Sequence, residues 1–445
     1  MSRRAAGLLL HPTSLPDDPG GLESSARRFF AWAETAAVSV WQILPVGPPG
    51  EGRSPYAALS AFAGEPSWFP GGPDADPEAL AGFAAQHASW LDDWALFAAL
   101  KESSAGLPWF AWDEGLRRRD PAALARSASA LADRIVHHRS RQYAFFTRWG
   151  ALRAEARDRG ITILGDVPIY PALDSADVWA HQELFHLDSD GAPTKVAGVP
   201  PDYFAKTGQL WGNPLYRWDR LRETGYAWWI ERLRHGLLLH DELRLDHFRG
   251  FAAYWAVPAE AETAQEGSWE PGPGLALFAA VRSALGGLPF VAEDLGLITE
   301  DVTALRKGLG LPGMRVLQFG FDGADGAHAA RLLTPDTVVY TGTHDNDTSR
   351  GWFTALDPAV KARVLEQTGG TADEAAWGLM RLAYGSESAL AVTPLQDVLD
   401  LGSEARMNVP GVAGGNWRWR APADAFAPER AERLRLLAGK TGRDC

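Results

Sequence analysis

Residues 145–170 read FFTRWGALRAEARDRGITILGDVPIY, a helical pattern that passes through one glycine into an apolar strand. Apolar side chains recur at helical spacing at Phe145, Trp149, Leu152 and Ala156. Upstream, Asp120 and Pro121 are residue types that cap and open a helix. Gly160 ends the helical pattern, and residues 161–170 follow as a nearly continuous apolar run. Helix, glycine and strand in this order are the repeating unit of a barrel or a doubly wound sheet.

Seven further segments are almost wholly apolar and end in polar residues or glycine, as buried parallel strands do. They are residues 7–14, 38–47, 241–248, 288–296, 313–320, 337–345 and 389–398. Eight such strands favour an α/β fold of the TIM type, a (β/α)8 barrel forming a single catalytic domain over residues 1–445. Uneven spacing between the strands predicts helical and loop insertions on the catalytic face. We expect a mostly helical insertion over 66–140, another over 171–240 that includes a loop at 196–213, and a short one over 250–273.

Composition and charge exclude several classes of protein. The chain has 445 residues with 43 basic and 56 acidic side chains, a formal net charge of −13. A negative surface repels phosphate, so we expect neither nucleic acid nor an anionic membrane as a partner. The one cysteine, Cys445, allows no disulfide framework or cysteine metal site and suits a reducing cytoplasm. Apolar runs are too short for a signal segment or a membrane span, so we expect a cytoplasmic protein.

Polar residues at the C-terminal ends of barrel strands line the active site in this fold. Here these ends are unusually acidic: Asp166, Asp246, Glu293 with Asp294, and His344 with Asp345. Side chains alternate along a strand, so Arg244 and Asp246 share one face, where the guanidinium favours the charged carboxylate. An ionised, oriented carboxylate is what a covalent nucleophile requires. A structural ion pair inside the barrel explains these two residues equally well.

Glu293 follows the apolar run 288–292, and apolar surroundings raise the pKa of a carboxyl group, as a general acid requires. One carboxylate held ionised and another held protonated form the working pair of retaining glycoside chemistry. Asp345 is a third candidate, which could stabilise positive charge at a reacting sugar carbon, with His344 as a hydrogen-bond donor beside it. Taken alone, the sequence around Asp345 is more typical of a turn.

Three motifs lie at these strand ends: LDHFRGF (245–251), AEDLG (292–296) and TGTHDND (341–347). They resemble the motifs of the 4-α-glucanotransferases, or amylomaltases, of glycoside hydrolase family 77 in the α-amylase superfamily. The resemblance extends along nearly the whole chain, through HPTSLP (11–16), WQILP (41–45), SPY (54–56), SAFAG (60–64), VAGVPPDYF (196–204), TGQLWGNPLY (207–216) and GSEARMNVPG (402–411). The segments around residues 17–21 and 322–336 are shorter than or different from the family pattern, and Glu65 stands where asparagine is usual.

The resemblance implies a role for each matching residue. Asp246 would be the nucleophile that forms a β-glycosyl-enzyme, Glu293 the acid and then the base, and Asp345 the stabiliser of the transition state. Arg244, Asp166 and His344 would hold the nucleophile and the donor sugar. Further substrate contacts are implied for Tyr56, Asp202, Tyr203, Phe204, Trp211 and Asn213. The 196–213 loop would shield the intermediate from water, which favours transfer over hydrolysis.

The implied enzyme transfers a segment of an α-1,4-glucan to the 4-hydroxyl of another glucan or of glucose. Its partners would be maltooligosaccharides, amylose, starch or glycogen, with no cofactor and no metal, and the sequence is compatible with a monomer. Two alternatives remain at this point. One is an α-amylase-type hydrolase with the same three carboxylates, and the other is a glucan-binding scaffold that has lost catalysis.

Overall fold

The computed structural model describes residues 4–70, 76–201, 206–321, 328–412 and 414–444. Its strands, numbered along the chain, are β1 Ala5–Leu9, β2 Val40–Gln42, β3 Thr162–Val167, β4 Lys195–Val199, β5 Gln209–Pro214, β6 Glu242–Leu245, β7 Ala253–Pro258, β8 Ser268–Pro271, β9 Phe290–Ala292, β10 Gly313–Val316, β11 Thr337–Tyr340 and β12 Leu390–Pro394. A closed parallel barrel has the order β1-β12-β11-β10-β9-β6-β3-β2. Each barrel strand overlaps one of the eight predicted segments, so the predicted (β/α)8 barrel is confirmed.

Helices cover the outside of the barrel and fill the long connection between β2 and β3. They are α1 Gly21–Thr35, α2 Pro77–Gln86, α3 Ala88–Ser103, α4 Glu114–Arg117, α5 Pro121–Ala130, α6 Ala132–Asp158, α7 Ala176–Ala180, α8 Trp218–Glu223, α9 Ala227–Leu239, α10 Gly274–Leu285, α11 Glu300–Leu309, α12 Ser349–Ala355, α13 Pro358–Thr368, α14 Ala375–Gly385, α15 Leu395–Val398 and α16 Pro428–Thr441. Asp120 caps α5 as predicted, since its carboxylate accepts a hydrogen bond from the Ala123 amide at 2.9 Å. Throughout the described residues, no helix is long and apolar enough to cross a lipid bilayer.

The barrel interior is a packed core of side chains from alternate strand positions. Its buried members include Leu9, Val40, Leu164, Val291, Met314, Val316, Val338, Tyr340, Leu390 and Val392. Two larger clusters fill the layer between the strands and the helices, with Trp41 and Trp149 among the fully buried side chains. Inward residues therefore close the barrel below the site, and polar groups can gather only at its ends.

The strands are shorter than the predicted segments, mostly because they end earlier. In the 241–248 segment the strand ends at Leu245, and His247 adopts the left-handed conformation with φ 51°. A left-handed residue cannot continue a strand, so the chain turns directly after Asp246. Asp246, Glu293 and Asp345 therefore lie on the turns that follow the strands, whereas Asp166 and Arg244 lie within β3 and β6.

A second sheet lies in two of the predicted insertions and was not predicted from the sequence. It has four antiparallel strands in the order β5-β4-β7-β8, with β4 and β5 from the 171–240 segment and β7 and β8 from the 250–273 segment. Trp211 of β5 contacts His247 with ring centres 4.7 Å apart. This sheet therefore borders the catalytic end of β6.

Candidate active site

Arg244 organises the buried floor of the site. Its Nη1 donates to both carboxylate oxygens of Asp166 at 2.8 and 2.7 Å, and its Nη2 lies 2.8 Å from Oδ1 of Asp246. Nε lies 3.3 Å from the sulfur of Met314 on β10. Asp166 is fully buried, whereas the Asp246 side chain is 27% exposed. The guanidinium is therefore fixed by Asp166 and holds Asp246, and only Asp246 of these two carboxylates is open to a ligand.

Tyr56 joins the same network from the loop after β2. Its hydroxyl donates to Oδ2 of Asp166 at 2.6 Å. Its ring lies against the His344 ring, with centres 5.1 Å apart and planes inclined by 20°. The structure thus brings Tyr56, Asp166 and His344 together, as the resemblance implied, although they are separated by more than a hundred residues at each step.

Glu293 lies directly after β9 in a different environment. Its Oε2 accepts from the His247 amide at 2.7 Å and its Oε1 from the Leu295 amide at 2.9 Å. Burial raises the pKa of Glu293 to about 8, and the negative charge of Asp246 acts in the same direction. Arg244 and the two amides offset part of this rise. The apolar surroundings read from the sequence predicted this direction.

The left-handed turn at His247 has a direct effect on Glu293. A non-glycine residue in this conformation is uncommon and costs energy, and such residues concentrate at functional sites. Here the turn carries the His247 amide to the carboxyl group of Glu293. The same turn follows Asp246, whose amide donates to the Val167 carbonyl at 3.0 Å. One turn therefore positions both Asp246 and Glu293.

Asp345 is held from two sides. His344 Nε2 lies 3.3 Å from its Oδ2, and the Asn408 amide donates to its Oδ1 at 2.7 Å. Partial burial acts to raise the pKa of Asp345, but His344, Asn408 and Arg244 hold it well below its ordinary value. The side chain remains 48% exposed, so an ionised carboxylate faces the cleft.

Sequence reasoning missed the loop that holds Asp345. Besides Asn408, Arg406 donates to the Asp345 carbonyl at 2.6 Å and to the Asn408 carbonyl at 2.7 Å. Trp417 is a third missed residue, with its ring centre 6.0 Å from Tyr56 and 5.8 Å from His344. The motif at 402–411 contains Arg406 and Asn408 and was the only sequence signal for them. Their contacts with Asp345 span some sixty residues, and such contacts leave no periodic pattern in the sequence.

Asp294, the neighbour of Glu293, points away from the cleft because side chains alternate along the chain. Its carboxylate accepts from the Met314 amide at 2.7 Å and lies 3.0 Å from Arg315 and 3.2 Å from Arg306. Asp294 is therefore a structural anchor between β9 and β10. Of the acidic pair at this strand end, only Glu293 belongs to the site.

Two of the remaining predicted contacts, Trp211 and Asn213, lie on β5 of the second sheet. Trp211 is 38% exposed and meets His247 edge to face. The Asn213 amide nitrogen donates to the Pro171 carbonyl at 2.9 Å, so this nitrogen has a structural partner. The predictions for Asp202, Tyr203 and Phe204 lie outside the described residues. In the described ranges, no group of three or more His, Cys, Asp and Glu side chains is placed to hold a metal ion.

An arginine-held carboxylate beside a buried carboxyl group of raised pKa, at the strand ends of a (β/α)8 barrel, fits the carboxylate pair of enzymes that act on glycosidic bonds. The 4-α-glucanotransferase family model matches residues 10–70 and 72–425. The chain belongs to this family, glycoside hydrolase family 77, and its activity is that of a 4-α-glucanotransferase.

Individual relatives align with this chain over almost the full length of both sequences. The 4-α-glucanotransferase of Thermus thermophilus is 48% identical over 99% of this chain and 99% of its own. The 4-α-glucanotransferase of Synechocystis is 42% identical over 100% of this chain and 99% of its own. The solved amylomaltase of Streptococcus agalactiae, in complex with acarbose, is 35% identical with a TM-score of 0.94, over 99% of this chain and all of its own. The predicted family, barrel and transferase activity are confirmed, and neither the hydrolase nor the inactive scaffold is supported.

Proposed function

We propose that the chain transfers glucan segments by a retaining double displacement through a covalent glycosyl-enzyme. In the first step Asp246 attacks the anomeric carbon of the donor, while Glu293 gives its proton to the leaving glycosidic oxygen. In the second step Glu293 takes the proton of an acceptor 4-hydroxyl, whose oxygen attacks the same carbon and releases Asp246. The glycosidic bond broken in the first step is replaced by an equivalent bond, so no cofactor or metal is needed.

The observation that carries this proposal is the contrast between two carboxyl groups that the turn at His247 positions. Asp246 is paired with Arg244 at 2.8 Å and is partly exposed. Glu293 is buried, and its pKa is raised to about 8. A nucleophile must be ionised and a general acid must be protonated at the same pH, and two environments of this kind separate the two states.

Asp345 serves in this proposal as the stabiliser of positive charge at the anomeric carbon. Its low pKa keeps it ionised, and its half-exposed side chain can reach the donor sugar. Arg244, Asp166 and His344 hold the nucleophile and the donor, and the Tyr56 ring, fixed by Asp166, stacks on the donor sugar. The network is assembled before substrate arrives, so little reorganisation is required during the reaction.

The acceptor would bind on the side of the second sheet. Trp211, exposed beside His247, offers an aromatic face to a glucosyl ring. Asn213 offers its side-chain oxygen to a sugar hydroxyl, since its nitrogen is occupied by Pro171. The resemblance adds Asp202, Tyr203 and Phe204, which lie outside the described residues, and these residues with Trp211 and Asn213 would keep water from the glycosyl-enzyme and favour a sugar acceptor.

The substrates would be maltooligosaccharides and the chains of amylose, starch or glycogen, in agreement with the names of the relatives. The single cysteine and the acidic composition are compatible with a cytoplasmic enzyme that acts as a monomer without nucleic acid or membrane partners.

Trapping the intermediate tests the proposal. α-Maltotriosyl fluoride needs no acid for departure of fluoride, so Glu293→Gln should form the glycosyl-enzyme and release it slowly. Intact mass should increase by one maltotriosyl unit, and peptide mapping should place it on Asp246. Asp246→Asn is the matched control and should give no adduct. An adduct on another residue, or the same adduct on Asp246→Asn, would contradict the assigned nucleophile.

A further inference from the structure

A second cleft of about 530 Å³ opens beside the donor side of the active site. It lies between the loops after β1 and β2 and the segment that precedes α16, with Trp68 and several prolines on its walls. Trp417 lines this cleft and also contacts Tyr56 and His344. A cavity of this size accommodates a small-molecule ligand. A donor glucan that passes Tyr56 and His344 can therefore extend its outer units into this cleft.

The charges on the walls of the cleft are unequally compensated. Arg420 is 3.3 Å from Asp17, and Asp18 is 3.1 Å from Arg28, so these two carboxylates are neutralised. Glu65 is the third carboxylate on the wall and accepts a hydrogen bond from the Ser67 amide at 2.8 Å.

Two arginines on the wall of the cleft, unlike Arg420, are not paired with a carboxylate of the described residues. Arg53 and Arg418 both line the cleft and are exposed, and within the described parts of the chain their side chains have no hydrogen-bond or ion-pair partner. Two uncompensated guanidinium groups against one carboxylate leave a locally positive wall on a protein whose net charge is −13. Long-range attraction of anions is thus absent, and an anion would be held here by direct contact.

Backbone strain also concentrates at this cleft. Arg53 has φ 62° and Trp417 has φ 61°, both in the left-handed region that favours glycine. Non-glycine residues persist in this region only where surrounding structure imposes it, and they cluster at ligand sites. One of these residues presents a free guanidinium and the other connects the cleft to the donor site.

We propose that this cleft binds a phosphomonoester next to the donor glucan, with Arg53 and Arg418 as its ligands. The guanidinium fork matches phosphate oxygens in geometry and charge. The ester would be carried by an outer glucosyl unit of a phosphorylated donor or by a free sugar phosphate bound beside a neutral donor. The inference rests on the proposed function for the course of the donor, and it adds a class of anionic glucan to the substrates.

Paired substrates test the first source. Phosphorylated maltooligosaccharides and the same preparation after phosphatase treatment would be compared as donors, with glucose as acceptor, at low and high NaCl. We expect the KM of the phosphorylated donor to be about fivefold lower at low salt, since two exposed charge pairs form. The advantage should shrink at high salt because the charges are screened.

Variants test whether the two arginines cause the preference for the phosphorylated donor. For each variant, the KM of the phosphatase-treated donor is divided by that of the phosphorylated donor, because this ratio cancels any change common to both donors. Arg53→Gln and Arg418→Gln should each lose most of the preference, and Arg53→Lys should retain part of it. Arg350→Gln removes the same charge from α12, where Arg350 pairs with Asp400, and should keep the full preference. A preference that survives in the double variant Arg53→Gln/Arg418→Gln would overturn the proposal.

Glucose 6-phosphate tests the second source, with neutral maltotriose as donor. Inhibition or activation that is lost in both arginine variants identifies a free sugar phosphate as the ligand. If neither the phosphorylated donor nor glucose 6-phosphate has an arginine-dependent effect, the proposal is wrong. Failure of the proposed function gives a different result from failure of this phosphate site. If the proposed function is wrong, wild-type protein transfers glucan from neither donor preparation.

Discussion

Replacing Glu293 by glutamine should abolish glucan transfer and also change how the stability of the fold depends on pH. In the native state the pKa of Glu293 is raised from 4.5 to about 8 by burial and by Asp246. The native protein therefore holds a proton that the unfolded chain releases between these two values. Because the native state binds more protons, the free energy of unfolding falls as pH rises from 4.5 to about 8.

The size of this effect follows from the shift. One pKa unit corresponds to about 1.36 kcal/mol, so Glu293 contributes a loss of ~2.5 kcal/mol between about pH 5.5 and 7.5. Glutamine cannot titrate, so the variant should lack this loss. It also has only one oxygen for the amides of His247 and Leu295, which costs ~1–3 kcal/mol at every pH. The informative quantity is therefore how the difference in unfolding free energy between wild type and Glu293→Gln changes with pH.

Equilibrium urea unfolding, followed by tryptophan fluorescence at these two pH values, measures that quantity. The difference in unfolding free energy should shift by ~2–3 kcal/mol in favour of Glu293→Gln on going to the higher pH. Glu262→Gln, an exposed change between β7 and β8, is the control and should follow wild type. The kcat/KM of wild type should fall about tenfold per unit above pH ~8 as the acid loses its proton. Equal pH dependence of stability in wild type and Glu293→Gln, or constant transfer up to about pH 9.5, would rule out Glu293 as the buried acid.

Asn408→Ala removes the amide that donates to Asp345 and should lower kcat for maltotriose about tenfold with less effect on KM, as steady-state kinetics would show. Arg443→Met should lower the free energy of unfolding by ~2–4 kcal/mol in urea titrations, because the buried guanidinium donates to four backbone carbonyls that include one at the start of β1. Burial lowers the pKa of His235 to about 3, so the unfolded chain takes up a proton first and stability is lost as pH falls below about 6.5. His235→Leu should remove ~2 kcal/mol of this loss between about pH 7 and 5, whereas the exposed His137→Leu should not.

The barrel was predictable because burial on both faces makes each parallel strand a continuous apolar run. The second sheet was not, since Gln209–Pro214 is mostly exposed and neither alternates nor forms an apolar run. Its pairing with β4 also shifts register between Val196 and Gly198, which removes the two-residue period from the sequence. Short, exposed and irregular strands are formed by tertiary contacts that local patterns do not encode.

The candidate site also contains residues that the sequence predicted and residues that it did not. Asp246 and Glu293 were predictable because a carboxylate at the end of an apolar strand has no role in packing. The inward pairing of Arg244 with Asp246 followed from strand alternation, but its second partner, Asp166, comes from the neighbouring strand β3. Asn408 reaches Asp345 only through the tertiary fold, so the chain alone does not reveal it.

Incubation of the purified protein with maltotriose alone, with products separated by length over time, distinguishes glucan transfer from hydrolysis. We expect a ladder of longer maltooligosaccharides with release of glucose and almost no net gain of reducing ends, because each bond broken is replaced by another. Glucose and maltose with steadily rising reducing ends and no ladder would contradict this expectation, since water rather than a sugar would then be the acceptor.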